Sequence, residues 1–278
     1  MQPRVVIVGG GFGGLSAARA LRHTPVSVTL IDKRNYHLFR PMLYQVATGL
    51  LSADEISGPL RSIFSHQKNV DVLLDEVTGI NSDQRIVHLT RGNVVYDFLI
   101  LATGIQYNYF GHDEWRRFAP GLESLDDADV IRGKILRAFE RAEEMASVEQ
   151  AGTTEIRREL TFALVGAGTV GVEMASTLAE MSRMALAHDF RHIDPTSVRI
   201  LLYEAGLSTN PPGGCRRRKP GLNIVRTIAG KNLSADSDAK DVGSLTGGHP
   251  QFRDSETKRP SVNNLTYFLP IFSNSTES

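Results

Sequence analysis

Twice in this 278-residue chain a short β-branched run ends in glycines spaced GxGxxG and passes directly into a helix-forming stretch. The first copy is Arg4-Val5-Val6-Ile7-Val8, then Gly9, Gly11 and Gly14, then Ser16-Ala17-Ala18-Arg19-Ala20-Leu21. The second is Thr161-Phe162-Ala163-Leu164-Val165, then Gly166, Gly168 and Gly171, with a helix through Leu178 and Met181. In such a turn the first glycine permits the tight bend, the second lets backbone approach a pyrophosphate, and the third lets helix and strand pack closely. The helix that starts there aims free N–H groups and its positive dipole end at an anion. The pattern predicts two dinucleotide sites, with Phe12 and Gly13 inside the first cradle.

An acid follows each copy. The strand Val26 to Ile31 ends in Asp32, eighteen positions after Gly14, near the ~20 spacing at which a carboxylate accepts hydrogen bonds from an adenosine ribose. The strand Val198 to Tyr203 ends in Glu204, 33 positions after Gly171. That longer interval predicts a helix through about His188 and a turn at Asp194-Pro195. Glu204 would attract a ribose 2′-OH and repel a 2′-phosphate, so NADH is expected over NADPH. Glu173 is read in the first turn of the second helix. There it is either a dipole-stabilising acid, worth ~0.3–1 kcal/mol, or a catalytic carboxylate beside the nicotinamide.

Composition removes several alternatives. Lys plus Arg and Asp plus Glu both number 31, which argues against a nucleic-acid partner. Cys215 is the only cysteine, so an intrachain disulfide, a redox CxxC pair and a multi-thiolate metal site are excluded, no metal is expected, and a reducing cytoplasmic compartment fits. The run Val5–Val8 is too short for a secretory signal, and Pro260 to Thr276 is too polar and too short for a spanning helix.

Residues 1–206 alternate β-branched runs with helical patterns, which implies parallel strands with helical crossovers. A helix is expected from about Ser124, capped by Ser124 and Asp127, with Ile131, Ile135 and Phe139 on one face. Residues 207–278 differ, with ten Lys or Arg against six Asp or Glu, and with 13 Gly or Pro and 21 Ser, Thr or Asn among 72 positions. Two readings of this tail stand: a natural disordered extension, or translation in a wrong frame. The expected fold class is α/β: two Rossmann-like dinucleotide-binding units, at 1–122 and an incomplete 123–206, with a disordered C-terminal tail at 207–278.

Longer segments carry a resemblance. They are Leu30-Ile31-Asp32-Lys33-Arg34-Asn35-Tyr36-His37-Leu38-Phe39-Arg40-Pro41-Met42-Leu43-Tyr44-Gln45-Val46-Ala47-Thr48, Tyr96-Asp97-Phe98-Leu99-Ile100-Leu101-Ala102-Thr103-Gly104, Phe110-Gly111-His112-Asp113-Glu114-Trp115 and Phe190-Arg191-His192-Ile193-Asp194-Pro195. Over residues 4 to 206 the chain resembles the type II, non-pumping NADH:quinone dehydrogenases. The resemblance implies FAD at the first motif with Asp32, further FAD contacts around Lys33, Thr48 and Ala102-Thr103-Gly104, and NADH at the second motif with Glu204. It implies hydride passage from NADH to flavin and electron passage to a quinone, a peripheral position on the cytoplasmic membrane face and a possible homodimer. His37 and Trp115 read as packing residues. The resemblance ends after Gly206, short of the membrane-anchoring segment and of about 200 further residues expected from typical two-domain size. A noncatalytic fragment that at best binds FAD weakly is the alternative expectation.

Overall fold

The computed structural model describes residues 2–148, 152–204, 223–229, 232–234 and 267–270. The chain divides into two compact units, one of Met1–Arg40 with Ser52–Gln106 and the other of Pro41–Leu51 with Tyr107–Ser278.

The first unit is built on a parallel sheet. Strand β1 (Arg4–Val8) leads into helix α1 (Phe12–Ala20), and β2 (Ser27–Asp32) follows. A short antiparallel pair comes next, β3 (Tyr36–Leu38) with β4 (Ser57–Pro59); helix α2 (Leu43–Ala47), which lies between them in sequence, belongs to the second unit. Helix α3 (Leu60–Ile63) and strand β5 (Val70–Leu74) precede a meander of β6 (Val77–Asn81), β7 (Ile86–Leu89) and β8 (Gly92–Val95), and β9 (Phe98–Leu101) closes the unit. The sheet order is β5-β2-β1-β9, all parallel.

Alternation along β1 separates two apolar layers, as the period of two in a strand requires. Val5 and Ile7 pack with Leu15, Ala18, Leu30, Leu60 and Phe64 on the helical side. Val6 and Val8 pack with Ile31 and Val87 on the side covered by the meander. A strand buried on both faces reads as a continuous apolar run, which Val5–Val8 does.

In the second unit, helix α4 (Leu125–Ser147) and helix α5 (Thr153–Glu159) precede β10 (Thr161–Val165), helix α6 (Thr169–Met184) and β11 (Arg199–Glu204). Strands β10 and β11 are parallel. The capping box forms as predicted: the Asp127 N–H donates to Ser124 Oγ at 3.2 Å and the Ser124 N–H donates to Asp127 Oδ2 at 2.9 Å. Ile131, Ile135 and Phe139 are fully buried, and Phe139 meets Phe162 and Phe190 with ring centroids 5.9 and 5.8 Å apart.

The units do not follow the bounds drawn from the motifs. The segment after Gln106 packs with the second unit through Tyr109 and Ala119, which cluster with Tyr107, Trp115 and Val165. Helix α2 lies on α4 and α6. Helix α6 also stops at Met184, four residues before the expected end, and the remaining interval to β11 is filled by a loop and a 3-10 turn at Pro195–Ser197, where Asp194 accepts the Thr196 N–H at 2.9 Å.

The expected disordered tail falls mainly outside the described residues. Within it, β12 (Asn223–Ala229), β13 (Asn232–Ser234) and β14 (Tyr267–Pro270) join the second sheet in the order β13-β12-β11-β10-β14. Their pairings are all antiparallel, unlike the parallel crossovers that precede them.

The loop before Pro195 is held by a single carboxylate. Glu143 accepts the N–H groups of Arg191 (3.0 Å), His192 (2.9 Å) and Ile193 (3.1 Å), together with His192 Nδ1 at 2.8 Å. Partial burial pushes this carboxyl upward, but the donors from Arg191, His192 and Ile193 outweigh it and hold Glu143 at about 2, below its ordinary 4.5. A carboxylate depressed by folding stabilises the protein fully above its unfolded value and loses that contribution as pH falls through the folded value. Glu143→Gln is therefore expected to cost roughly 1–2 kcal/mol at neutral pH. Melting curves should show wild type and variant converging between pH 4.5 and about 2.

Candidate dinucleotide sites

At the carboxyl end of the first sheet the chain turns through Gly9 with φ of +107°, a conformation that side-chain-bearing residues rarely adopt. The Gly9 N–H donates to the Ile31 carbonyl at 2.7 Å and the Ala102 N–H to the Val8 carbonyl at 2.8 Å, so the turn is fastened to both neighbouring strands. A methyl on Gly9 would strike the Ala102 carbonyl oxygen, and one on Gly14 would strike the Gly9 carbonyl oxygen. Gly11 differs: nothing lies within 4 Å of where its Cβ would stand. Helix α1 begins at this open point, with no side-chain cap and no acid in its first turn.

The first N–H groups of any helix lack helical acceptors. With the cap residue a glycine and the approach clear, those of Phe12, Gly13 and Gly14 can receive an anionic group. This fits the pyrophosphate of a dinucleotide such as FAD.

Asp32 ends β2 and braces the turn. Its Oδ2 accepts the Gly10 N–H at 2.5 Å and its Oδ1 accepts the Arg34 N–H at 2.6 Å. A carboxylate offers about four acceptor positions, so capacity for further donors remains. Lys33 pairs with Glu76 at 3.8 Å, both half-exposed. Ala102 is half-buried, whereas Thr103 and Gly104 are exposed. Gly104 has φ of +77°, and the Arg40 guanidinium donates to the next carbonyl, that of Ile105, at 3.4 Å. Thr48 falls in the second unit, where it is buried and its hydroxyl donates to the Tyr44 and Gln45 carbonyls at 2.9 and 3.3 Å. That proton is committed to the end of α2.

The second turn repeats the first. Gly166 has φ of +104° and its N–H donates to the Tyr203 carbonyl at 2.8 Å. Gly168 caps α6 without a side-chain hydrogen bond, and the first turn of α6 carries no acid. Its carbonyl accepts the Val172 N–H at 3.0 Å, as that of Gly11 accepts the Leu15 N–H at 2.9 Å. Gly171 is buried in α6. Glu204 follows Tyr203 as Asp32 follows Ile31, so the two acids end corresponding strands.

Glu173 stands later in its helix than the sequence reading places it. Because α6 starts at Thr169, Glu173 is its fifth residue and stands beyond the first turn, where the dipole effect has already fallen away. It is half-buried, and its carbonyl accepts the Thr177 hydroxyl at 2.7 Å.

Two contributors go beyond the sequence expectations, which give Gly10 no role of its own and His37 a packing role only. Gly10 sits so close to α3 that a Cβ would come 2.6 Å from Leu60 Cδ1; the run of three glycines was its only signal. His37 lies against the same turn, with Nδ1 3.1 Å from the Gly10 carbonyl oxygen and its ring edge-on to Phe12 at 4.9 Å. No local pattern announces that contact. Trp115 stacks on His112 at 4.2 Å, in keeping with a packing role. Among the described residues no group of three or more His, Cys, Asp or Glu is placed to hold a metal, and no helix is long and apolar enough to cross a membrane.

The sequence profile of the family "Pyridine nucleotide-disulphide oxidoreductase" matches residues 3–201. The chain belongs to that family. Among curated relatives it is similar to the type II NADH:quinone oxidoreductase Ndh of Mycobacterium tuberculosis, 46% identical over 217 residues, covering 77% of this chain and 46% of the relative. It is also similar to NdhA of the same organism, 47% identical over 240 residues, covering 85% and 49%. The solved structure of NDH2 from Plasmodium falciparum in complex with NADH resembles it with a TM-score of 0.66 at 25% identity, covering 74% of this chain and 42% of that one. The chain thus spans about half the length of the curated relatives it matches.

For this member of the pyridine nucleotide-disulphide oxidoreductases, Asp32→Asn places an amide NH2 against one of the two N–H donors that the carboxylate now accepts. The loss is expected to be roughly 1–3 kcal/mol of folding stability, read as a lowered denaturant midpoint with an unchanged slope.

Proposed function

We propose that the chain is the dinucleotide-binding part of an FAD-dependent NADH dehydrogenase that delivers electrons to a quinone. The observation that carries this reading is the pair of uncapped helix starts at Gly11 and Gly168, each at the carboxyl end of a parallel strand and each followed in the sheet by an acid-ended strand. The names of the Mycobacterium tuberculosis relatives support the substrate pair.

In this assignment FAD takes the first turn. The N–H groups of Phe12, Gly13 and Gly14 hold its pyrophosphate, Gly9 and Gly11 give the backbone its close approach, and Asp32 accepts from the adenosine ribose. Lys33 and the Ala102-Thr103-Gly104 turn lie along the remainder of the site. NADH takes the second turn at Gly166, Gly168 and Gly171, with Glu204 selecting against a 2′-phosphate. When bound, FAD supplies a two-electron carrier able to accept a hydride from NADH and return electrons to a quinone. The protein groups orient and bind, and Glu173 is assigned to steering the nicotinamide. We place the reaction at the cytoplasmic face of a membrane, where a quinone is dissolved.

Purified protein should be yellow, and its visible flavin bands should bleach on anaerobic addition of NADH and recover on addition of a soluble quinone. Colourless protein, or flavin that NADH leaves oxidised, would favour a noncatalytic fragment instead. Bleaching by NADPH should be slower by roughly tenfold or more, the factor that about 1.4 kcal/mol of charge repulsion supplies. Equal rates with the two donors would remove Glu204 from its role.

A further inference from the structure

Gly10 is held at both of its backbone polar groups, which belong to the two successive peptides that flank it. Its N–H donates to Asp32 Oδ2 at 2.5 Å. Its carbonyl oxygen lies 3.1 Å from His37 Nδ1. A carbonyl can only accept, so Nδ1 must carry the proton, which fixes the neutral ring as the Nδ1–H tautomer and leaves Nε2 as its acceptor. The two gripping residues come from different places in the chain, Asp32 from the end of β2 and His37 from the middle of β3. Phe12 presses edge-on against the His37 ring at 4.9 Å and against Phe39 at 5.5 Å, which limits the directions the imidazole can take. Leu60 closes the remaining side of Gly10.

We infer that His37 is a positioning residue for the first dinucleotide site: it holds the carbonyl of the Gly10–Gly11 peptide so that the N–H of that same peptide and the N–H groups of α1 stay aimed at the pyrophosphate. Freed from His37, the Gly10–Gly11 peptide could rotate its carbonyl toward the phosphate seat, where its negative end opposes an anion. His37 touches the turn and needs no contact with the nucleotide. The inference rests on the assignment of FAD to this turn, and the experiment separates the two.

Asparagine carries its amide nitrogen on Cγ, as histidine carries Nδ1, so His37→Asn can restore the donor whereas His37→Leu cannot. On the full chain, hydrogen exchange of the peptide covering residues 9–14 is measured without ligand, together with the melting temperature. FAD affinity is then measured by fluorescence titration. The expected result is faster exchange and about tenfold weaker FAD binding in His37→Leu, near-wild-type values in His37→Asn, and similar melting temperatures for all three proteins. Unchanged exchange in His37→Leu overturns the inference, as does an Asn variant no better than Leu. A general drop in melting temperature that accounts for the FAD loss, with exchange raised across the whole first unit, overturns it too. If wild type binds no FAD while exchange at 9–14 still quickens only in His37→Leu, the grip stands and the cofactor assignment is what fails.

Discussion

The separation between α1 and β1 is set by the absence of one methyl group. Gly14 faces the Gly9 carbonyl so closely that any side chain would strike it, and from that contact the geometry of the first unit follows. The helix lies flat on the strand it leaves, which brings Leu15 and Ala18 onto Val5, Ile7, Val28 and Leu30. It also fixes where the helix begins, so that its first N–H groups emerge at the sheet's carboxyl end. Burying several aliphatic side chains, at about 25 cal/mol per Å² of apolar surface, holds the arrangement in place. The opening at Gly11 is a by-product of the same closeness, because a helix further from its strand would point its dipole past the turn.

Electrostatics then decides what that opening can accept. A helix start with no acid nearby attracts anions, yet Asp32 puts a carboxylate within reach of the turn. The structure reconciles the two by directing both Asp32 oxygens at backbone donors, Gly10 on one side and Arg34 on the other. The charge is held by peptide N–H groups of the turn and of the strand end. One group thereby stiffens the cradle and keeps acceptor positions for neutral hydroxyls. Under the proposed assignment, a phosphate and a ribose lie side by side because the carboxylate is tied down.

What the sequence makes legible here is whatever is local. The strand–glycine–helix units, the continuous apolar run of β1 and the Ser124–Asp127 cap each depend on neighbours within a few residues, and each forms. The meander of β6, β7 and β8 escaped notice because its strands are short, four or five residues each, and only partly buried, so no clean alternation marks them. The end of α6 was misplaced because nothing between Met184 and His188 breaks a helix by type; the chain leaves it to reach the Glu143 clamp, 48 to 50 residues away in sequence. The boundary between units was likewise hidden, since Tyr109 and Ala119 join Val165 through tertiary packing. His37 belongs to this group: its partner is 27 positions away, and a histidine in an aromatic stretch gives no sign of which carbonyl it will meet.

The two turns share a backbone but differ at one position, and the difference bears on how each nucleotide is held. In the first turn the middle residue, Gly10, is hemmed in by Leu60, Asp32 and His37, and even a methyl would come within 2.6 Å of Leu60 Cδ1. In the second the corresponding residue is Ala167, half-buried, with a methyl already in place. A cradle immobilised from three directions is ordered before its ligand arrives, so little conformational entropy remains to be lost on binding. That suits a ligand retained in place, which is what the proposed FAD site at the first turn requires.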